Sequence, residues 1–324
     1  MKRSDKGKIE EKQNIYLNNG YLDTKEAMVR ISWYYYKQGM TQTTIAKKMN
    51  TNRMKIMKIL RKARDRKIVN IRIKGEYQNI LEIEQNLIQK FKLIDAMVMP
   101  DPASGDLNTH LGVAAAQYIS RVLKNGDILA IGWGDSVSKT IRHLSLEHLN
   151  DFYLISLTGG VLSFIDEGEF FGKYSKFTRI LPAPLLVSNE KTAKMIYEEL
   201  EVRAIINMWN ISNYALIGIG TLNPQATLLR QAYITEDEFA LLRQRGAVGD
   251  ILGQFFDVYG KRMPYSTDKR LIAYPIEKLK DVPNVIAVAG GEHKVKAMHA
   301  ALLGGYTKIL VTDEKTASMI LELQ

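Results

Sequence analysis

Residues 41–73 limit the possible folds of the chain more than any other stretch. They combine two short helical patterns, a tight turn and a β-branched run. They read TQTTIAKKMNTNRMKIMKILRKARDRKIVNIRI. Thr41 and Asn52 each precede a helical pattern, and their side chains can accept the free N–H groups of a first helical turn. Asn50-Thr51-Asn52 interrupts the apolar pattern, since Asn tolerates turn conformations. This order predicts a helix-turn-helix followed by a β-strand wing.

Apolar residues recur at helical spacing in both predicted helices, which gives each helix one buried side. These residues are Ile45, Ala46 and Met49 in the first helix and Ile56, Ile59 and Leu60 in the second. The β-branched run of the predicted wing contains Ile68, Val69, Ile71 and Ile73.

Positive charge is concentrated in the same part of the chain. Residues 1–75 hold 20 Lys and Arg against 6 Asp and Glu, a net charge of +14 within a total of +10. An ordinary solvated basic hairpin would also show such a charge run. The caps, turn, core spacing and wing agree with one another, however, and together they favour binding to the DNA phosphate backbone.

The residues predicted to contact DNA lie at the start of the first helix, in the turn, on the second helix and on the wing. They are Thr41, Gln42, Thr51, Asn52, Arg53, Lys55, Lys58, Arg61 and Arg72. In a helix-turn-helix the second helix enters the major groove, where basic side chains contact base edges and phosphates.

Composition narrows the class of protein further. The chain has no cysteine, which excludes disulfides, thiol catalysis and cysteine-held metals. The basic segment MKRSDKGKIEEKQN at the N-terminus lacks an apolar stretch, so no signal peptide is expected. No apolar run reaches the ~18–20 residues of a membrane span. We therefore expect a cytoplasmic, nucleoid-associated protein with no membrane partner, no cofactor and no metal.

From residue 94 onward, short apolar runs alternate with helical patterns, which is typical of an α/β fold with a doubly wound, mostly parallel sheet. The predicted strands are Ile94–Met99, Ile128–Ile131, Tyr153–Leu157, Ala215–Ile219, Val285–Ala289 and Lys308–Val311. The predicted helices are 109–124, 135–146, 189–200, 235–245, 292–303 and 314–323. We expect four segments: a flexible tail (1–22), a helix-turn-helix domain (23–75), a linker or oligomerisation helix (76–92) and an effector domain (93–324).

Several predicted strands end in glycine-rich turns, which meet at one edge of a parallel sheet, where ligands bind. The turns are Gly132-Trp133-Gly134, Thr158-Gly159-Gly160, Gly218-Ile219-Gly220 and Gly290-Gly291. GWGDS is the best candidate for a phosphate cradle, because glycine permits close approach and a helix N-terminus favours anions. Tight connections without a ligand are the alternative interpretation of each turn.

Polar side chains near these turns complete the predicted pocket. The carboxylate of Asp250 can accept hydrogen bonds from sugar hydroxyls, and Lys294 can meet a phosphate or carboxylate. Asp135 would repel an anion unless its side chain turns away. Each of these groups is otherwise a surface charge near a helix start. The predicted effector-binding residues are Gly132, Trp133, Gly134, Asp135, Ser136, Gly159, Asp250, Gly290, Gly291 and Lys294.

The motifs of the chain together resemble those of the SorC family of bacterial sugar-responsive transcription regulators, from Val29 to Ile320. They are VRISWYYYKQGMTQTTIAKKM, LAIGWGDS, LPAPL, LIGIG, GAVGDILGQFFD, VAGGEHK and GGYTKILVTDEKTA. The resemblance implies an effector domain similar to sugar-phosphate isomerases and glucosamine-phosphate deaminases that senses without turnover. It also implies a homotetramer that regulates a carbohydrate or autoinducer operon, whose affinity for operator DNA changes when a phosphorylated sugar binds.

Two other functions stay open from the residues alone. One is an enzyme, a sugar-phosphate isomerase or deaminase that carries a DNA-binding head. In that case Asp250 or Glu292 would be the base and Lys294 would stabilise the developing oxyanion. The other is a DNA-binding protein with an idle pocket. Fold likeness does not decide among them, because function resides in the site.

Overall fold

The computed structural model describes residues 22, 24–69, 78–102, 105–160 and 173–324. The chain divides into two compact units, Met1–Gly75 and Glu76–Gln324. The tail predicted over 1–22 lies, apart from residue 22, outside the described residues. So do the wing residues at 71–74, which include Arg72. The winged form of the helix-turn-helix therefore stays a prediction, as do the domain bounds.

In the described residues of the first unit, three α-helices surround a small core. They are α1 (Lys25–Ser32), which continues as a π-helix over Trp33–Lys37, α2 (Gln42–Lys48) and α3 (Arg53–Asp65). Thr41 Oγ1 accepts the Thr44 N–H at 3.2 Å, and Asn52 Oδ1 accepts the Lys55 N–H at 2.8 Å. The turn between α2 and α3 contains Asn50 at a φ of 46°. The core includes Met28, Ile31, Ile45, Ile56 and Ile59.

The second unit is built on a seven-stranded sheet in which every neighbouring pair is parallel. Its strands are β1 (Asp95–Met99), β2 (Ile128–Ile131), β3 (Tyr153–Ser156), β4 (Thr178–Arg179), β5 (Tyr214–Ile217), β9 (Asn284–Val288) and β10 (Ile309–Asp313). The order across the sheet is β1-β10-β9-β5-β2-β3-β4. Because the inner strands are apolar and fully buried, the sheet runs through the middle of the core.

A second, antiparallel sheet of three strands adjoins the carboxyl end of β5. It consists of β6 (Gly220–Thr221), β7 (Ala247–Ile251) and β8 (Gln254–Asp257), in that order. The sequence did not predict it, because each strand is short and both β6 and β7 contain glycine. Asp250 therefore lies on β7 and not on the edge of the parallel sheet.

Helices complete the second unit. They are α4 (Gln78–Phe91), α5 (Leu107–Val122), α6 (Asp135–His143), α7 (Glu190–Glu198), α8 (Leu200–Trp209), α9 (Thr227–Arg230), α10 (Glu236–Gln244), α11 (Val295–Leu303) and α12 (Glu314–Glu322). The predicted helix starts and ends mostly agree within three residues, whereas α8 and α9 were not predicted. No helix in the described part of the chain is both long and apolar enough to cross a bilayer.

Candidate functional site

A cavity of about 340 Å³ opens at the carboxyl ends of β2 and β5 and beside β6 and β7. It is lined by the turn after β2, by 218–221, by the segment leading to α9, and by the turn before α11. Its polar lining residues are Asn108, Asp135, Ser136, Thr221, Asn223, Gln225, Thr227, Arg230, Asp250, His293 and Lys294. The cavity therefore lies where the strand pattern predicted a ligand site.

Six of the ten predicted effector-binding residues meet in this cavity. They are Trp133, Gly134, Asp135, Ser136, Asp250 and Lys294. The third glycine-rich turn also contributes, through Gly218 and Gly220. Residues more than 150 positions apart in the chain thus meet in one cavity.

Four predicted residues do not line the cavity: Gly132, Gly159, Gly290 and Gly291. Close packing accounts for the need for glycine at these positions. A Cβ on Gly159 would lie 2.3 Å from the Pro184 carbonyl oxygen, and one on Gly290 would lie 2.2 Å from Asp313 Oδ1. On Gly132 it would meet Leu252 at 2.8 Å. The turns at 158–160 and 290–291 are closely packed, and a role of Gly159, Gly290 and Gly291 in effector binding stays a prediction.

The GWGDS turn opens α6 without a side-chain cap. Gly134 is the N-cap residue, with a φ of 123° that glycine adopts readily. Ser136, in the first turn, donates its Oγ hydrogen to Asn108 Oδ1 at 2.9 Å. Because no side chain caps this helix start, its N–H groups and the positive end of its dipole face the cavity and suit an anion.

Asp135 lines the cavity, and its negative charge there is offset by an ion pair. Its Oδ2 accepts a hydrogen bond from Arg230 Nη2 at 2.8 Å, in an ion pair whose two side chains are each about half exposed. Arg230 is the last residue of α9, a single helical turn at the cavity mouth. Sequence analysis missed Arg230, since a lone arginine in a short polar segment gives no signal.

Asp250 is the buried acid of the site. It is only 7% exposed, and its Oδ2 accepts the Gly253 N–H at 3.2 Å across the turn between β7 and β8. Burial raises the pKa of this carboxyl to about 6, although the Gly253 bond and the charge of Lys294 oppose the rise. Gly220 permits the close approach of this carboxylate, because a Cβ there would lie 2.0 Å from Asp250 Oδ1.

Lys294 is the half-buried cation of the site. It is the N-cap residue of α11, and its backbone N–H donates to Gly291 at 2.9 Å. Among the described residues its ammonium group forms no hydrogen bond or ion pair. Burial lowers the pKa of Lys294, against the attraction of Asp135 and Asp250. An ammonium held without a partner beside a cavity is ready to bind an anion.

The neighbouring groups of the turn before α11 take other roles. The pKa of His293 is lowered by burial and by the charge of Lys294, which favours a neutral imidazole at the cavity. Glu292 is exposed, pairs with Lys315 and does not line the cavity, so it is not placed to act as a base there. The described residues contain no group of three potential metal ligands.

In the first unit, the predicted DNA contacts that the structure describes lie at the α2 start, the turn and α3. Arg53 Nε donates to Gln42 Oε1 at 3.5 Å, which joins the two helix starts. Thr41 and Asn52 use their side chains as helix caps, so their first role is to position the helices. Arg53, Lys58 and Arg61 are exposed on α3.

Comparison with known proteins places the chain among regulators. The family model described as "Putative sugar-binding domain" matches residues 75–322. "Transcriptional regulator LsrR" of Klebsiella pneumoniae is 34% identical over 307 residues, 93% of this chain and 94% of the relative. LsrR of Escherichia coli K12 is 35% identical over 302 residues, 92% of this chain and 95% of the relative. The crystal structure of the full-length sorbitol operon regulator SorC of Klebsiella pneumoniae is 26% identical, with a TM-score of 0.69, over 93% of this chain and 99% of that one.

Proposed function

The chain belongs to the SorC family of transcriptional regulators with a sugar-binding domain, and from this premise we propose that it binds operator DNA under the control of a phosphorylated sugar. The relatives named above are transcriptional regulators, which favours a regulator over the enzyme hypothesis. Likeness of the second unit to isomerases and deaminases stays a prediction, as does the tetramer.

The observation that carries the proposal is that the Lys294 ammonium, which has no hydrogen-bond or ion-pair partner among the described residues, lines the same cavity as the uncapped start of α6. A phosphate bound between them would accept hydrogen bonds from backbone N–H groups and from Lys294, and Arg230 lies at the mouth within the same cavity. The Asp250 carboxylate would accept hydrogen bonds from sugar hydroxyls. Six of the ten effector-binding residues predicted from sequence line the cavity in which this phosphate would bind, and Arg230 lines it as well.

Thermal shift against matched sugars tests the proposal. A phosphorylated sugar at 100 times its dissociation constant should stabilise the protein by about 2.7 kcal/mol. The free sugar and inorganic phosphate should each have little effect, because each fills only half of the site. A shift with free sugars alone would mean that the loop binds hydroxyls and that the phosphate site is wrong.

DNA binding is proposed for the first unit. The α3 helix would enter the major groove, with Thr51, Arg53, Lys55, Lys58 and Arg61 at the DNA and Thr41, Gln42 and Asn52 beside the backbone. Arg72 would contact the backbone from the wing. The exposed basic side of α3 supports this proposal.

Arg53→Ala is expected to weaken specific DNA binding by about 1–3 kcal/mol if the guanidinium reads a base, and by less if it meets a phosphate. Fluorescence anisotropy with a duplex selected by the protein itself measures this. Arg203→Ala, an exposed arginine on α8, is the matched control and should bind as the parent does. Equal binding by both variants would remove Arg53 from the interface.

The turn before α11 is tied to α12, and α12 to α4, which we propose as the route of the effector signal. The Gly291 N–H donates to Asp313 Oδ1 at 3.0 Å and to Thr316 Oγ1 at 2.7 Å. At the other end, Lys90 of α4 donates to the last carbonyls of α12, including Leu321 at 3.0 Å. A ligand that moves Lys294 would therefore move α4, whose chain leads to the first unit.

Lys90→Met should reduce the effect of the ligand on DNA affinity while leaving both binding sites intact. Lys90 does not line the cavity and is not among the predicted DNA contacts. The variant removes its bonds to the end of α12 and leaves the Asn79–Glu314 hydrogen bond between α4 and α12 in place. Titration of effector and of DNA, separately and together, measures the coupling. Lys92→Met, the control, removes an exposed charge just after the C-terminal end of α4 and should leave the coupling unchanged. Full coupling in Lys90→Met would show that the Lys90 bonds are not part of the route.

A further inference from the structure

Two methionines interrupt the charged outward surface of α3. Met54 is 58% exposed and Met57 is 43% exposed. The other exposed residues of this helix are all charged: Arg53, Lys58, Arg61, Lys62, Arg64 and Asp65. The buried side contains Ile56, Ile59, Leu60 and Ala63, so the methionines are not part of the core.

Met54 lies on the same outward stripe as Lys58 and Arg61. These residues are spaced i, i+4 and i+7, which puts them one above another on a helix. The stripe points away from the buried side, and Met54 stands at its N-terminal end. In a docked helix-turn-helix, the N-terminal residues of the second helix reach the base edges.

The surroundings of Met54 favour DNA over a protein partner. A shallow depression of about 370 Å³ beside it is lined by Asn52, Met54, Lys55, Lys58, Ile59 and Lys62. An apolar protein partner would have to desolvate three ammonium groups to cover this methionine. A DNA groove supplies phosphates for the lysines and, at one kind of base pair, an apolar group for the methionine.

We propose that Met54 is a specificity-determining residue that packs against the C5-methyl group of a thymine in the major groove. This inference rests on the proposed DNA-binding function. Thymine alone presents an apolar group in that groove, so an apolar contact there selects it over the other bases. The flexible thioether of Met adapts to the position of the methyl group without a fixed hydrogen-bond geometry.

Replacing thymine by deoxyuridine tests the contact directly, since the exchange removes only the methyl group. The full-length protein first selects duplexes from a random-sequence pool, and each thymine of the selected site is then exchanged singly. Dissociation constants are measured for the parent, for Met54→Ala and for Met195→Ala. Met195 is the matched control, because it is a methionine that is 57% exposed on α7 of the other unit.

At one thymine, or at its symmetry mate, loss of the methyl group should weaken parent and Met195→Ala binding about fourfold. The same exchange should leave Met54→Ala binding unchanged, because the contact is already absent. If every exchange has equal effects on parent and Met54→Ala, the inference is wrong while DNA binding stands. If the full-length protein selects no sequence from the pool, the proposed function itself fails.

Discussion

Lys294→Met is expected to weaken binding of a phosphorylated sugar about 30-fold or more, while raising the melting temperature of the ligand-free protein. Removing one partner of a buried, charge-assisted contact costs 2–5 kcal/mol, and about 1.4 kcal/mol is tenfold in affinity. The substitution should stabilise the ligand-free protein, because the folded parent holds this ammonium without a hydrogen-bond partner among the described residues. The lowered pKa of Lys294 shows that burial outweighs the attraction of Asp135 and Asp250.

Calorimetric titration with the sugar phosphate, together with a melting curve of the ligand-free variant, measures both effects. Lys296→Met is the matched control, because Lys296 is an exposed lysine two residues further along the chain. That control should change neither quantity by much. Parent-like affinity in Lys294→Met would show that this lysine does not hold the anion. A lowered melting temperature of Lys294→Met would show that the charge of Lys294 stabilises the folded protein.

Asp250→Asn is expected to stabilise the ligand-free protein at pH 7.5 by about 3 kcal/mol and to weaken effector binding by tenfold to 100-fold. The carboxyl has an ordinary pKa of 3.8 when unfolded and a pKa of about 6 when folded. Between these values the folded state holds the proton more tightly, so its stability falls as pH rises through that window. Above the window the folded protein carries a buried carboxylate, and the neutral amide removes that cost.

The pH dependence separates this explanation from a general packing effect. At pH 4 the folded carboxyl is already protonated, so the advantage of Asp250→Asn should drop below about 1 kcal/mol. Urea unfolding of the parent and of Asp250→Asn at both pH values measures this difference in the free energy of unfolding. The exposed Asp151→Asn is the control and should show no such pH-dependent gain. An equal gain at both pH values would mean that burial of the charge is not its source.

The elements that local sequence determines were predicted well. Thr41 and Asn52 cap their helices as expected, because a cap depends on the few residues beside it. The β2 strand has its predicted bounds, since a fully apolar run before a glycine turn leaves few alternatives. The GWGDS turn opens α6 for the same reason.

The parts that depend on distant packing were not predictable. Arg230 reaches Asp135 from 95 residues away, and nothing near either residue signals the pair. The β7 strand pairs with β6 and β8, and the sequence of such short segments does not reveal this pairing. Gly159 and Gly290 follow strands just as Gly134 does. Their close neighbours Pro184 and Asp313, which leave no room for a Cβ at either glycine, come from other parts of the chain.

The most direct test of sugar-gated DNA binding is one measurement of DNA affinity with and without the effector. Anisotropy of a selected duplex is titrated with full-length protein, alone and with a sugar phosphate already shown to bind by thermal shift. We predict a change in the dissociation constant of at least about fivefold, absent with the free sugar and absent in Lys294→Met. An unchanged DNA affinity with the sugar phosphate bound would contradict the account.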